Sequence, residues 1–213
     1  MGLFSFASNQ PQYSDKVWKS SDFCLKGMMT DALRLITEGK IPVLIPQFKE
    51  SENIICEFLS TKEVPHQLLD GETYLDEQDS NKVYVLSVAF LKSITVSKFI
   101  LFLANKNSVH LLFHGHYPLP SKEKKIIEKF AASKNLTITF YSSLDQPSFE
   151  AFGTTNIISL MNTLGMKDDE AIEHNLVKKA MERAREKVEA SVKFDHESDS
   201  EKEWFRKNLP NTN

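Results

Sequence analysis

An α/β fold on a mostly parallel sheet flanked by helices, with a helical extension behind it, follows from three features of this 213-residue chain. The short apolar run Ile41-Pro42-Val43-Leu44-Ile45 reads as a strand buried on both faces, the pattern of parallel sheets, and Val83-Tyr84-Val85-Leu86-Ser87-Val88 reads as a second strong strand. Segments with apolar residues at helical spacing separate them. Strands and helices therefore alternate, the order that βαβ units and a doubly wound sheet impose.

Residues 1 to 14, rich in Ser, Gln, Asn and Pro, read as a flexible lead-in. A helix is predicted from Asp22 to Glu38, with Leu25, Met28, Met29, Ala32, Leu33 and Ile36 on one face, Ser21 or Asp22 as its cap and Gly39 as its stop. The strand Ile41 to Ile45 follows, bounded by Pro46. Next come a helix from Lys49 to Ser60, a strand at His66 to Leu69, a turn at Asp70-Gly71 and a strand at Lys82 to Val88. Asp76, Glu77 and Asp79 read as a solvated turn. Ile94 to Leu103 is apolar but of ambiguous type. Val109 to Phe113 is an inner strand ending at Gly115. A helix from Ser121 to Ser133 turns Ile126, Ile127 and Phe130 inward, and Leu136 to Tyr141 supplies the last strand.

Past Gly153 the pattern becomes helical. A short helix from Thr154 to Leu164 is closed by Gly165, and a long one runs from about Asp168 to Phe194. Ile172, Val177, Met181, Ala184, Val188 and Val192 make one narrow stripe on the long helix, which must be covered by its own domain or by a partner, a second copy included. The organisation expected is thus a lead-in (1–14), an α/β domain (15–150), a helical extension (151–194) and an acidic tail (195–213) with Asp195, Glu197, Asp199, Glu201 and Glu203.

Composition narrows the function classes. A net charge of -3 gives no case for nucleic acid as partner, and no apolar run reaches the roughly 18 residues of a membrane span. The start, Met1-Gly2-Leu3-Phe4-Ser5-Phe6, has neither the basic region nor the apolar core of a secretory signal, and Phe6 breaks the myristoylation pattern. Cys24 and Cys56 lack metal-ligand spacing and read as reduced core thiols, so a cytoplasmic setting is expected. Lys122, Lys124, Lys125, Lys129 and Lys134 cluster on one predicted helix, as a solvated face or a docking patch.

Two stretches carry a family resemblance. Phe152-Gly153-Thr154-Thr155-Asn156-Ile157-Ile158, continuing through Leu164-Gly165-Met166 and Glu173-His174 to Lys179-Ala180-Met181-Glu182-Arg183-Ala184, resembles SecA-type preprotein translocase ATPases where the second motor domain meets the scaffold helix. Asp15-Lys16-Val17-Trp18-Lys19-Ser20, Glu38-Gly39-Lys40-Ile41-Pro42 and Val64-Pro65-His66-Gln67-Leu68-Leu69 fall in the same order as in that domain. The resemblance spans about Asp15 to Val192. It implies a degenerate RecA-like fold of the helicase C-terminal type, and the SecA motor or other translocation proteins as partners.

The residues such a motor needs are missing. The sequence contains no G-x-x-x-x-G-K-[ST] loop to hold phosphates. Where the family has a Gly-Arg-Gly-Thr-Asp loop, this chain has Phe90-Leu91-Lys92-Ser93-Ile94-Thr95-Val96, and the segment Ser121 to Asn135, at the family's arginine-rich loop, has lysines only. Lysine cannot reproduce the fork-shaped contact of arginine with a transferring phosphoryl group. A non-catalytic accessory or regulatory protein without cofactor is therefore expected. Phe90, Lys92, Ser93, His114, His116, Lys122, Lys125 and Lys129 are its candidate cleft or partner face. Two other readings are an ATPase subunit whose site is completed in trans and a ligand site at the strand ends near Ala89, Phe90 and His114. His110, His114 and His116 would share one face, as a zinc site needs, if that segment stayed extended, but Gly115 is expected to end the strand and no carboxylate lies nearby in sequence, so they read as loop or edge histidines and no metal is expected.

Overall fold

The structure is a computed structural model that describes residues 13–72, 79, 81–105, 107–131, 133, 135–150, 167–173 and 175–209. Strands β1 (Tyr13–Trp18), β2 (Ile41–Pro46), β3 (His66–Leu69), β4 (Val83–Leu86), β5 (Val109–His114) and β6 (Leu136–Ser143) form one open sheet in the order β1-β6-β5-β2-β4-β3. Every pairing is parallel. Because successive strand residues point to opposite faces, Leu44, Val85 and Leu112 pack on one side while Val43, Tyr84 and Leu111 pack on the other. Helices α1 (Ser21–Thr37) and α2 (Lys49–Thr61) cover the first face, through Met28, Ala32, Ile55 and Leu59. Helices α3 (Val88–Lys92), α4 (Val96–Ala104) and α5 (Pro120–Glu128) cover the second, through Leu91, Ile100 and Ile127. The expected flanked parallel sheet is what the chain forms.

Several boundaries differ from the sequence reading, each for a local reason. Tyr13 and Ser14 belong to an edge strand rather than to the lead-in: β1 pairs with β6 from Tyr13↔Ile138 to Trp18↔Ser143. Ser20, one residue earlier than expected, caps α1, its Oγ accepting from the Phe23 N–H. The ambiguous segment Ile94 to Leu103 is largely α4, whose inner residues Val96, Ile100 and Leu103 keep helical spacing. The lysine-bearing helix is shorter than predicted and begins with Pro120 in its first turn, where a missing N–H costs nothing.

Three further helices complete the described chain: α6 (Pro147–Glu150), α7 (Asn175–Ser191) and α8 (Glu201–Asn208). The long helix starts later than Asp168, because Ile172 is drawn into a β-bridge with Val17 by a pair of backbone hydrogen bonds of 2.7 and 3.1 Å. Val177, Met181 and Val188 of the predicted stripe are buried within the chain, so that stripe is not an exposed seam for a second copy. The acidic tail carries α8, capped by Ser200, with Trp204 fully buried. The predicted helix Thr154 to Leu164, His174 and the turn residues Asp76 and Glu77 lie outside the described residues.

Candidate functional site

Open α/β sheets bind ligands beyond the carboxyl ends of their strands. In this chain that edge is covered by its own C-terminal helices. Val177 and Met181 of α7 pack with Val17 at the end of β1 and with Leu144 just past β6. Further along, Val188, Trp204, Phe205 and Leu209 close over Phe48 and Leu119, which follow β2 and β5. Tyr117 stands among them, its ring 5.7 Å from Phe48 and 6.2 Å from Trp204.

A buried chain of charges holds this cover in place. His116 Nε2 donates to Asp15 Oδ1 at 2.9 Å, and Nδ1 donates to Glu123 Oε2 at 3.0 Å, so both ring nitrogens carry protons. Arg185 of α7 reaches Glu123 Oε1 at 2.7 Å and the Tyr117 carbonyl at 3.0 Å. Lys178, two turns earlier on the same face of α7, reaches Asp15 at 3.2 Å and lies 4.3 Å over the Tyr13 ring. Burial works to raise both carboxyls, but the bonds and charges of His116, with Lys178 at Asp15 and Arg185 at Glu123, hold them below the usual range. Burial would likewise depress His116, yet the Glu123 charge and the two carboxylate bonds raise it. The ring also stacks on Phe140 at 4.1 Å.

The predicted site residues separate into two groups. Lys92, Lys122, Lys125 and Lys129 converge on one groove of about 260 Å³, floored by Val88, Leu91 and Ile126. Lys92 pairs with Glu197 at 2.8 Å and Lys122 with Asp195, so the tail's carboxylates sit on the groove's rim. Asp195 also accepts from Tyr117 Oη and from Trp204 Nε1. Lys129 is turned to the carbonyls of Leu91, Lys92 and Ser93, each at 3.1 Å, and so closes the C-terminus of α3. At the other end of α3, buried Glu52 accepts from the Val88 N–H at 2.8 Å. Charges of the right sign thus hold both ends of that short helix.

The remaining predicted residues do not join the groove. Phe90 is core, in edge contact with Phe99, and Ser93 bonds Thr95. His114 is packed in, its Nδ1 without a hydrogen-bond partner, and burial pushes it down to about 4. His110 bonds Ser108 and His116 is tied to carboxylates, since Gly115, at φ +78, turns the chain between them. Among the described residues no group of three His, Cys, Asp or Glu could hold a metal. Sequence reasoning passed over Asp15, Glu123 and Arg185. One signal was available, because Glu123 is an acid on the inner face of α5, one turn before Ile127.

No protein-family model matches the sequence. Curated relatives do. The chain is 21% identical over 198 residues to protein translocase subunit SecA of Desulfotalea psychrophila, covering 85% of this chain and 23% of that one. With the SecA of Clostridium kluyveri it shares 25% over 195 residues, covering 84% and 22%. A shorter stretch of 54 residues is 50% identical to the SecA of Acidithiobacillus ferrooxidans, 25% of this chain and 6% of that protein. The chain is related to SecA. It corresponds to less than a quarter of the length of these SecA proteins. Among solved structures, the C-terminal part of the Fun30 ATPase domain gives a TM-score of 0.42 at 12% identity, over 77% of this chain and 54% of that one.

The relationship to SecA directs attention to two segments. The stretch Phe90 to Val96 is the second half of α3 and the turn into α4. The stretch Ser121 to Asn135 includes most of α5, whose charged inward residue is Glu123. Among the described residues no helix is long and apolar enough to cross a membrane.

Proposed function

We propose that the chain is a SecA-related accessory of the protein-translocation machinery that acts by protein contact and does not cleave ATP. The observation that carries this reading is the covered strand edge: α7 and α8, fixed by Arg185 and Trp204, lie where a nucleotide-cleaving site would need open space. The chemistry of the two diverged segments supports it. Phe90 and Leu91 are core residues, and the Lys129 ammonium is taken up by the carbonyls that end α3. An arginine placed to stabilise a transferring phosphoryl group contributes roughly a thousand-fold or more in rate, and neither segment offers one.

The test has two arms. Purified chain is assayed for phosphate release from ATP, and is then titrated to saturation into the ATPase assay of its host's SecA motor. The expectation is no release above blank and a changed motor rate. Hydrolysis by the chain alone would overturn the non-catalytic reading, and an unchanged motor rate would overturn the proposed accessory role.

A further inference from the structure

The groove between α3 and α5 is a built site that the ion network does not use. Lys92, Lys122 and Lys125 stand at its rim, and Val88, Leu91 and Ile126 make an apolar floor. Lys125 makes no ion pair among the described residues. At the inner end lies Gln47, 5% exposed, whose Nε2 has no hydrogen-bond partner.

The chain itself shows which chemistry the rim accepts. Its own Glu197 and Asp195 place carboxylates on Lys92 and Lys122, and the segment behind them is anchored by Trp204. The geometry points to a docking site for an acidic peptide segment of a partner protein, with carboxylates on the lysines and an apolar side chain on the floor. The chain's residues 195–197 already hold two of the three rim lysines, so they act as a built-in competitor. This inference rests on the reading that the chain works by protein contact, and it names the chemistry of the contact.

The probe is a fluorescein-labelled nonapeptide of alternating Glu and Phe, with a Lys/Phe peptide of the same length as control, titrated with full-length chain by fluorescence anisotropy. The acidic probe binds and the basic one does not. Lys125→Glu, at an exposed position outside the fold's ion pairs, weakens binding about tenfold through loss of one cation and gain of a repelling charge. Glu197→Gln, which frees Lys92, tightens it. Equal binding of both peptides, or an affinity unmoved by Lys125→Glu, overturns the proposal. Displacement of the probe by inorganic pyrophosphate at concentrations below the peptide's own Kd also overturns it, in favour of a phosphate site. Peptide binding with an unchanged SecA ATPase rate would leave the groove standing and remove only the link to that motor.

Discussion

Arg185 and Glu123 meet at 2.7 Å with side chains only 8% and 4% exposed, so a helix from late in the chain is tied to the middle of the fold by charges shielded from water. Such a pair tolerates poorly the loss of one member, because the survivor is left as an uncompensated buried charge. Arg185→Met is therefore expected to destabilise the chain by about 3–5 kcal/mol in urea unfolding. Adding Glu123→Gln to it should recover part of that loss, which separates charge from packing.

Three groups give the pH dependence of stability opposing signs. His116 has a raised folded value, so its contribution is full below about pH 6.5 and is lost as pH rises through that folded value. Its removal in His116→Gln should therefore cost progressively less above pH 6.5. His114 is depressed to about 4 by burial, so the unfolded chain takes up its proton first and stability is lost as pH falls from 6.5 towards 4. In His114→Leu that acid-side loss should be absent. Glu201, which burial raises to about 7 although Ser148 N–H donates to it, weakens the fold as pH climbs from 4.5 to 7, and Glu201→Gln should abolish that component. Urea midpoints of wild type and each variant from pH 4 to 9 read out all three.

Trp204 is fully buried against Phe205 and Tyr117 and donates to Asp195. Trp204→Ala should remove about 3–5 kcal/mol of docking energy. The effect should be local. Amide exchange is expected to accelerate over 201–208 while β2 and β5 stay protected, and acceleration spread evenly over the sheet would contradict it.

Gly27 faces Trp18 so closely that an added Cβ would lie 2.3 Å from the indole. In an ordinary helix interior Gly→Ala gains about 1 kcal/mol. Here the sign should reverse, with Gly27→Ala losing about 1–3 kcal/mol as Trp18 is pushed off its stack on Tyr141. A shift in the near-ultraviolet circular dichroism of Trp18 should accompany it.

The strand apolar on both faces was legible as sequence, Ile41 to Ile45 being placed to within one residue, and the less buried edge strand His66 to Leu69 was placed to the residue. The edge strand β1 was not, since Tyr-Ser-Asp-Lys-Val-Trp mixes charge with apolar residues and gains its meaning from a partner over a hundred residues away. Helix α8 hid in an acidic run, although Ser200 and Glu203 stand at capping-box spacing. Lys122, Lys125 and Lys129 came from one stretch, where proximity along the chain exposed them, and Lys92 from the stretch that the family resemblance singled out. Asp15, the pair His116 and Glu123, and Arg185 come from three distant segments, and beyond the inward acid Glu123 such a constellation has no local pattern.

The pairing of β1 with β6 sets a timetable for birth. A ribosome delivers Tyr13 first, but its partner Ile138 emerges only after 125 further residues, at translation speeds about 6–25 s later. Asp15 waits longer still for Lys178. During that interval β5 has no neighbour on its outer side, because β6 normally fills it. A nascent chain halted before residue 136 therefore presents an open strand edge to whatever else is being made nearby, and rare codons or stalls in that window are where this protein is most exposed to aggregation.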